Sequence, residues 1–138
     1  MKKKYNTKEI FDKWEQIFHA NDKLGLSNLI NSDAIFYSPI LFKPQIGKKK
    51  VNVYLSAAME VFKSTNFYYS KKVSINYHTY AEFNCIKNDI EINGIDYIKN
   101  NGTSIIEFKV FLRPYKAIDL IWQEMKIKLE KLNINKTV

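Results

Sequence analysis

The chain has 138 residues, 46% hydrophobic and 26% charged, with nine Phe, nine Tyr and two Trp against four Gly and three Pro. That length and balance suit one core burying about two thirds of the unfolded surface, and exclude a disordered or fibrous chain. The 22 basic and 14 acidic residues give a net charge of +8, but the lysines are scattered and Arg113 is the single arginine, which predicts a solvated surface and no nucleic-acid partner.

After a tail expected over 1–5, Ile10, Phe11, Trp14, Ile17 and Phe18 recur at i, i+1, i+4, i+7 and i+8. This predicts a helix from Thr7, capped by Asn6 or Thr7, to near Asn21. A short helix over about 22–30 carries Leu24, Leu26, Leu29 and Ile30, and a brief strand at 34–37 follows, stopped by Pro39. Beyond the loop containing Pro44 and Gly47, Val51, Tyr54, Leu55, Ala58 and Phe62 return to helical spacing through Lys63. The period then becomes two: Val73, Ile75 and Tyr77 alternate with Ser74, Asn76 and His78, the pattern of a strand with unlike faces. Tyr80 to Lys87 reads as a second strand, Asn88-Asp89 as a turn, Ile90 to Lys99 as a third strand, and Asn100-Asn101-Gly102 as a hairpin. Ser104 to Arg113 is the fourth, with Ile106, Phe108, Val110 and Leu112 on one face. Pro114 then opens a helix through Leu132 with Ile118, Ile121, Trp122, Met125 and Leu129 at helical spacing. Helices followed by a meander make an α+β layer architecture. A single domain over 1–138 is expected, with a second tail at 133–138.

Two stretches carry a resemblance. Asp33-Ala34-Ile35-Phe36-Tyr37-Ser38-Pro39 with Gly47 entering the third helix, and Gly94-Ile95-Asp96-Tyr97-Ile98 followed by Val110-Phe111-Leu112-Arg113-Pro114, resemble the nuclear transport factor 2-like (SnoaL-like) superfamily. Within it they are similar to a subgroup whose last strand ends in Arg-Pro before a terminal helix. The resemblance spans roughly 6–130 and implies a cone-shaped α+β fold: N-terminal helices on a curved antiparallel sheet enclosing a pocket, plus a C-terminal helix. It implies a pocket walled by Trp14, Phe18, Tyr37 and Phe108, with Ser38, Tyr54 and Leu112 also at the ligand. It implies a homodimer through the outer sheet face as well, where Val73, Ile75 and Tyr77 would lie.

Asp96 is the most informative polar position. It shares the parity of Ile90, Ile92 and Ile98 in an otherwise apolar strand, so its carboxyl group is neutralised, hydrogen-bonded or facing a wet pocket. Gly94 in the same strand suggests a bulge or tight bend. Ketosteroid isomerase, an enzyme of the resembled superfamily, needs a carboxylate base, a phenol donor and a neutral acid. Those positions fall on Ser38, Trp14 and Asp96. An alcohol cannot abstract a carbon-bound proton without its own base, and an indole donates but does not titrate, so that reaction is not expected. Proton transfer of a cyclase or isomerase type would rest on Asp96, with His78 the next acid/base candidate unless it lies on an exposed polar face.

His19 reads as a cation near a helix C-terminus, and Cys85 as a small core residue. Arg113 either fixes the strand–helix corner by pairing with a carboxylate, such as Glu107 or one on a neighbouring subunit, or holds an anion at the pocket mouth. Two histidines and one cysteine lack metal-ligand spacing, and the four glycines form no phosphate loop, so neither metal nor cofactor is expected. The chain begins Met-Lys-Lys-Lys with no apolar run behind it, and its longest apolar stretch, 34–42, is nine residues against the roughly 20 needed to span a bilayer. Export and a membrane partner are not expected, and the cytoplasm is. The expected function is binding or converting a small hydrophobic molecule with a polar group; the alternative is a dimerisation or interaction module.

Overall fold

The computed structural model describes residues 3–132, so the tail expected at 133–138 lies outside the described residues. Helix α1 (Thr7–Ala20) begins at a reciprocal cap. The Asn6 side chain accepts from the Glu9 amide at 2.8 Å, and the Glu9 carboxylate accepts from the Asn6 amide at 2.9 Å. It ends at Asn21, in the left-handed conformation (φ 54°) that asparagine tolerates. The expected N-terminal tail is tied at Tyr5, whose amide donates to the Gly102 carbonyl at 2.6 Å.

The remaining elements are α2 (Lys23–Leu29), β1 (Ile30–Tyr37), β2 (Gln45–Ile46), α3 (Lys48–Val61), β3 (Tyr68–Ile75), β4 (His78–Lys87), β5 (Ile90–Asn100), β6 (Ile105–Arg113) and α4 (Tyr115–Leu132). One sheet runs in the order β2-β1-β6-β5-β4-β3. It is mixed rather than purely antiparallel, because β1 and β6 pair parallel. No hairpin joins that pair: α3 and the whole meander intervene, so nothing forces opposed directions. The helices cover one face, where Ile10, Phe11 and Trp14 of α1 and Val51, Leu55 and Met59 of α3 are almost completely buried.

Two expectations about the meander change. The strand read over 73–78 contains a turn: Ile75 pairs with His78, Asn76 takes φ 53°, and β3 reaches back to Tyr68. A two-residue hairpin loop preserves the alternation through the turn, so period two continued across it. The turn is anchored from both sides, by the Thr7 hydroxyl donating to the Asn76 carbonyl and the Asn100 amide donating to the Tyr77 carbonyl at 3.0 Å.

Gly94, expected at a bulge or bend, sits in unbroken register with Phe83 and Leu112. The ladder breaks elsewhere, between Tyr69 and Lys71 and between Lys99 and Asn100. What needs glycine is space: a Cβ at position 94 would collide with the Phe83 ring and the Phe111 carbonyl oxygen.

Helix α4 packs along α3 and over β6 and β5 through Ala117, Ile121 and Met125, and Lys87 pairs with Glu124 at 3.0 Å. Among the described residues no helix is long and apolar enough to cross a membrane. Because the obstacle at position 94 includes backbone, Gly94→Ala is expected to lower unfolding free energy by at least roughly 2 kcal/mol, read as a drop in thermal midpoint. An unchanged midpoint would refute the packing role of this glycine.

Candidate functional site

The inner face of the sheet is built from three rows across β4, β5 and β6: Thr79–Ile98–Phe108, Ala81–Asp96–Val110 and Phe83–Gly94–Leu112. Asp96 therefore points towards the helices, 5% exposed, and is the one fully buried carboxylate among the described residues. Its Oδ2 accepts from the Tyr69 hydroxyl at 2.5 Å, and the Tyr69 oxygen accepts from Trp14 Nε1 at 2.9 Å.

This chain of three crosses from α1 through β3 to β5. The Tyr69 ring is held edge-on by Phe11 at 5.0 Å and Phe67 at 5.2 Å. Burial pushes the Asp96 carboxyl up to about 7, against a smaller downward pull from the Tyr69 hydrogen bond. Burial first, and the neighbouring carboxylate second, hold Tyr69 well above the usual phenol range.

The residues expected at a ligand divide into three groups. Ser38, Tyr54 and Leu112 line an apolar cavity of about 40 Å³ under α4, together with Phe36, Val110 and Trp122. Val110 is the register partner of Asp96, which puts the carboxyl one strand away from this cavity wall. Trp14 and Phe108 pack ring to ring at 4.9 Å and fill the interior solidly, while Phe18 leans over Phe67 at 4.5 Å and lines a separate surface cleft.

Tyr37 and His78 belong to the opposite face of the sheet. Ala34 and Phe36 are the inward residues of β1, so Tyr37 turns outward, with the Lys109 ammonium 4.5 Å from its ring centre. His78 precedes inward Thr79 and stacks on Tyr97, its Nδ1 2.7 Å from the Tyr97 hydroxyl oxygen. It therefore has no contact with Asp96 chemistry.

Arg113 is exposed on that outer face and donates to Asn93 Oδ1 at 3.2 Å. It meets neither the expected Glu107, six residues away along the same strand, nor the cavity under α4. Cys85 is buried, and burial raises its thiol. No cluster of three or more His, Cys, Asp or Glu suited to a metal occurs among the described residues.

Three contributors were not singled out in the sequence as site residues: Tyr69, Phe36 and the α4 residues over the cavity. The aromatic run Phe67-Tyr68-Tyr69 was the available signal for a strand carrying the phenol.

No family model matches the sequence, and no curated protein matches it. Solved structures do. One from Pseudomonas aeruginosa, named a steroid delta-isomerase, is 26% identical over 94% of this chain and 95% of its own, with a TM-score of 0.84. An uncharacterised Silicibacter pomeroyi protein with a cystatin-like fold is 24% identical over 86% and 84%, TM-score 0.79. A nuclear transport factor 2-like protein of unknown function from Mesorhizobium loti is 15% identical over 78% and 91%, TM-score 0.70.

The buried carboxyl has a thermodynamic signature. Unfolded, it ionises near 3.8; folded, it keeps its proton to about 7, so the native state binds more protons between those values. Its contribution to stability is complete below about pH 3.8 and is lost as pH rises through about 7. Glu60 works in a lower window, because its hydrogen bond from Asn21 and then that from Lys23 hold it down to about 2, so its contribution disappears only as pH falls from about 4.5. Asp96→Asn keeps an acceptor for Tyr69 but cannot ionise. Relative to the parent, the variant is expected to gain roughly 2–4 kcal/mol between about pH 4 and pH 8 in urea unfolding. Parallel stability curves would mean that Asp96 is not a proton-retaining group.

Proposed function

We propose, from a chain that has the nuclear transport factor 2-like (SnoaL-like) fold, that its interior binds a small hydrophobic molecule by one polar group, with neutral Asp96 as the hydrogen-bond donor at depth. The observation that carries this reading is the direction of the buried hydrogen bonds. An indole N–H only donates, so the Trp14 contact occupies the Tyr69 oxygen, and the single Tyr69 proton goes on to Asp96 Oδ2. A proton on the carboxyl then sits on Oδ1, away from Tyr69, where it suits the carbonyl or oxyanion of a ligand.

The cavity beside Val110 supplies the apolar wall, and Ser38 and Tyr54 supply hydroxyl groups. A cavity of about 40 Å³ holds little more than one or two waters. Binding therefore requires Trp122 or Phe62 to move aside.

The Pseudomonas neighbour is named an isomerase, and moving a proton between carbons needs a base. Here the Ser38 oxygen accepts from the amides of Ile40 and Leu41, at 3.0 and 3.4 Å, and no carboxylate or imidazole is among its partners. The reading is accordingly binding, or ketonisation of a bound enol, in which Asp96 gives its proton to carbon and the resulting carboxylate takes back the enol hydroxyl proton. An aryl ketone is expected to raise the thermal midpoint by a few degrees near pH 6. The gain should shrink near pH 8.5 in the parent, where the carboxyl is ionised, and persist at that pH in Asp96→Asn, whose amide N–H still donates. A panel of aryl ketones that moves the midpoint at neither pH would sink this function.

A second reading concerns the outer face, for which a solvated antiparallel sheet would be polar. Instead Val73, Ile75, Tyr80 and Phe111 are each more than half exposed, with Ile95 between them at 40%. Apolar side chains contiguous across four strands mark an interface, and a self-pairing two-fold is the commonest closed arrangement. The occupant proposed is a second copy of this chain. Light scattering is expected to return about twice the 16.3 kDa chain mass, and Phe111→Glu to return a monomer with unchanged circular dichroism. A monomer for the parent chain at micromolar concentration would remove the dimer.

A further inference from the structure

Where α1 and α3 end, their last turns and residues 62–67 enclose a surface cleft of about 470 Å³. Its apolar side is a cluster of three phenylalanines, with Phe67 4.5 Å from Phe18 and 5.6 Å from Phe62. Its polar side is Asn21, His19 and Lys63. We infer that this cleft is the binding site for a planar aromatic alcohol and its way in towards Asp96, with Phe62 and Phe67 as the partition.

Three observations carry the inference. Phe62 walls both the cleft and the small cavity under α4, so one side chain separates the two spaces. Phe67 lies between cleft and acid: it touches Phe18 on one side and the Tyr69 ring, at 5.2 Å, on the other. The segment carrying both has two non-glycine residues in the left-handed region, Ser64 (φ 61°) and Asn66 (φ 58°), the kind of backbone that gathers at ligand sites. The other approach is closed by α4, whose Ile121, Trp122 and Met125 cover the cavity.

The ligand's chemistry follows from Asn21. Its Nδ2 donates to Glu60 Oε2 at 2.9 Å, which fixes the amide orientation, and its Oδ1 is buried with no hydrogen-bond partner among the described residues. A buried acceptor left unpaired costs on the order of 1–3 kcal/mol, so a hydroxyl donor arriving beside it is favoured. Only a protonated head can donate to Asn21 Oδ1, so the group is a neutral hydroxyl. Phenylalanine faces and edges take the aromatic plane.

This inference rests on the small-molecule reading of the interior but not on the role of Asp96, and 2-naphthol titrated into the full chain tests the two apart. Amide resonances of 18–21 and 62–67 are expected to shift, equally in the parent and in Asp96→Asn. Asn21→Gly keeps the left-handed helix end without the acceptor. It is expected to weaken 2-naphthol roughly five-fold while leaving 2-methoxynaphthalene, which has no donor, unchanged. Shifts confined to 36–40 and 110–125, equal 2-naphthol affinity in parent and Asn21→Gly, or no saturable shift at all would each overturn it. Loss of the aryl-ketone effect with the cleft shifts intact would instead remove only the Asp96 reading.

Discussion

A carboxyl group taken out of water on an apolar strand constrains everything around it. Ionised and unpaired, such a group would cost far more than any single packing contact contributes, so it must be neutral, hydrogen-bonded or both. Asp96 is both. Tyr69 donates to one oxygen, and the surrounding Phe11, Phe67, Phe83 and Trp14 rings keep the dielectric low enough for the proton to stay on near neutral pH. The consequence reaches three elements of the fold. β3 has to bring Tyr69 up to Asp96, α1 has to bring the Trp14 indole to the Tyr69 oxygen, and Gly94 has to stay bare so that Phe83 can lie across β5 beside the acid.

The interior is otherwise nearly full. Three devices fill the cone: Trp14 against Phe108 at its depth, the Phe18–Phe62–Phe67 cluster on one flank, and α4 on another. Helix α4 is seated on α3, β6 and β5 through buried Ala117, Ile121 and Met125, and the Lys87–Glu124 pair adds a partly exposed tie of modest strength. On the proposed reading a ligand must displace aromatics, so its affinity is reduced by whatever it costs to open the interior.

Much of this was legible in the residues, and the failures share a cause. Asp96 could be placed because a long strand with isoleucines on one parity leaves no ambiguity about which face it shares. Tyr37 could not, since Ala34-Ile35-Phe36-Tyr37 is apolar at every position, and only the packing of Phe36 on Phe108 and Tyr54 decides the face. His78 does lie on the outer face, but beside Ile75 rather than with Ser74, because a two-residue turn passes a period-two pattern through a hairpin without a break; the positive φ of Asn76 was the one local sign. Tyr69 lay hidden between Ser64-Thr65-Asn66, which reads as loop, and Lys71-Lys72, which reads as surface. The apolar ridge of α4 was visible, but its seat over the cavity depends on contacts far apart in sequence.

The phenol changes the comparison with isomerase chemistry in one respect. Acid and phenol are both present, but Tyr69 donates its proton to Asp96 Oδ2, so the two stand in series. A series arrangement raises the acidity of the terminal donor less than two parallel donors would stabilise an oxyanion, because only one hydrogen bond reaches the reacting atom. The Ser38 oxygen, for its part, accepts from the amides of Ile40 and Leu41 and has no carboxylate or imidazole partner among the described residues. On the proposed reading Asp96 donates to a ligand only below about pH 7, where the carboxyl keeps its proton.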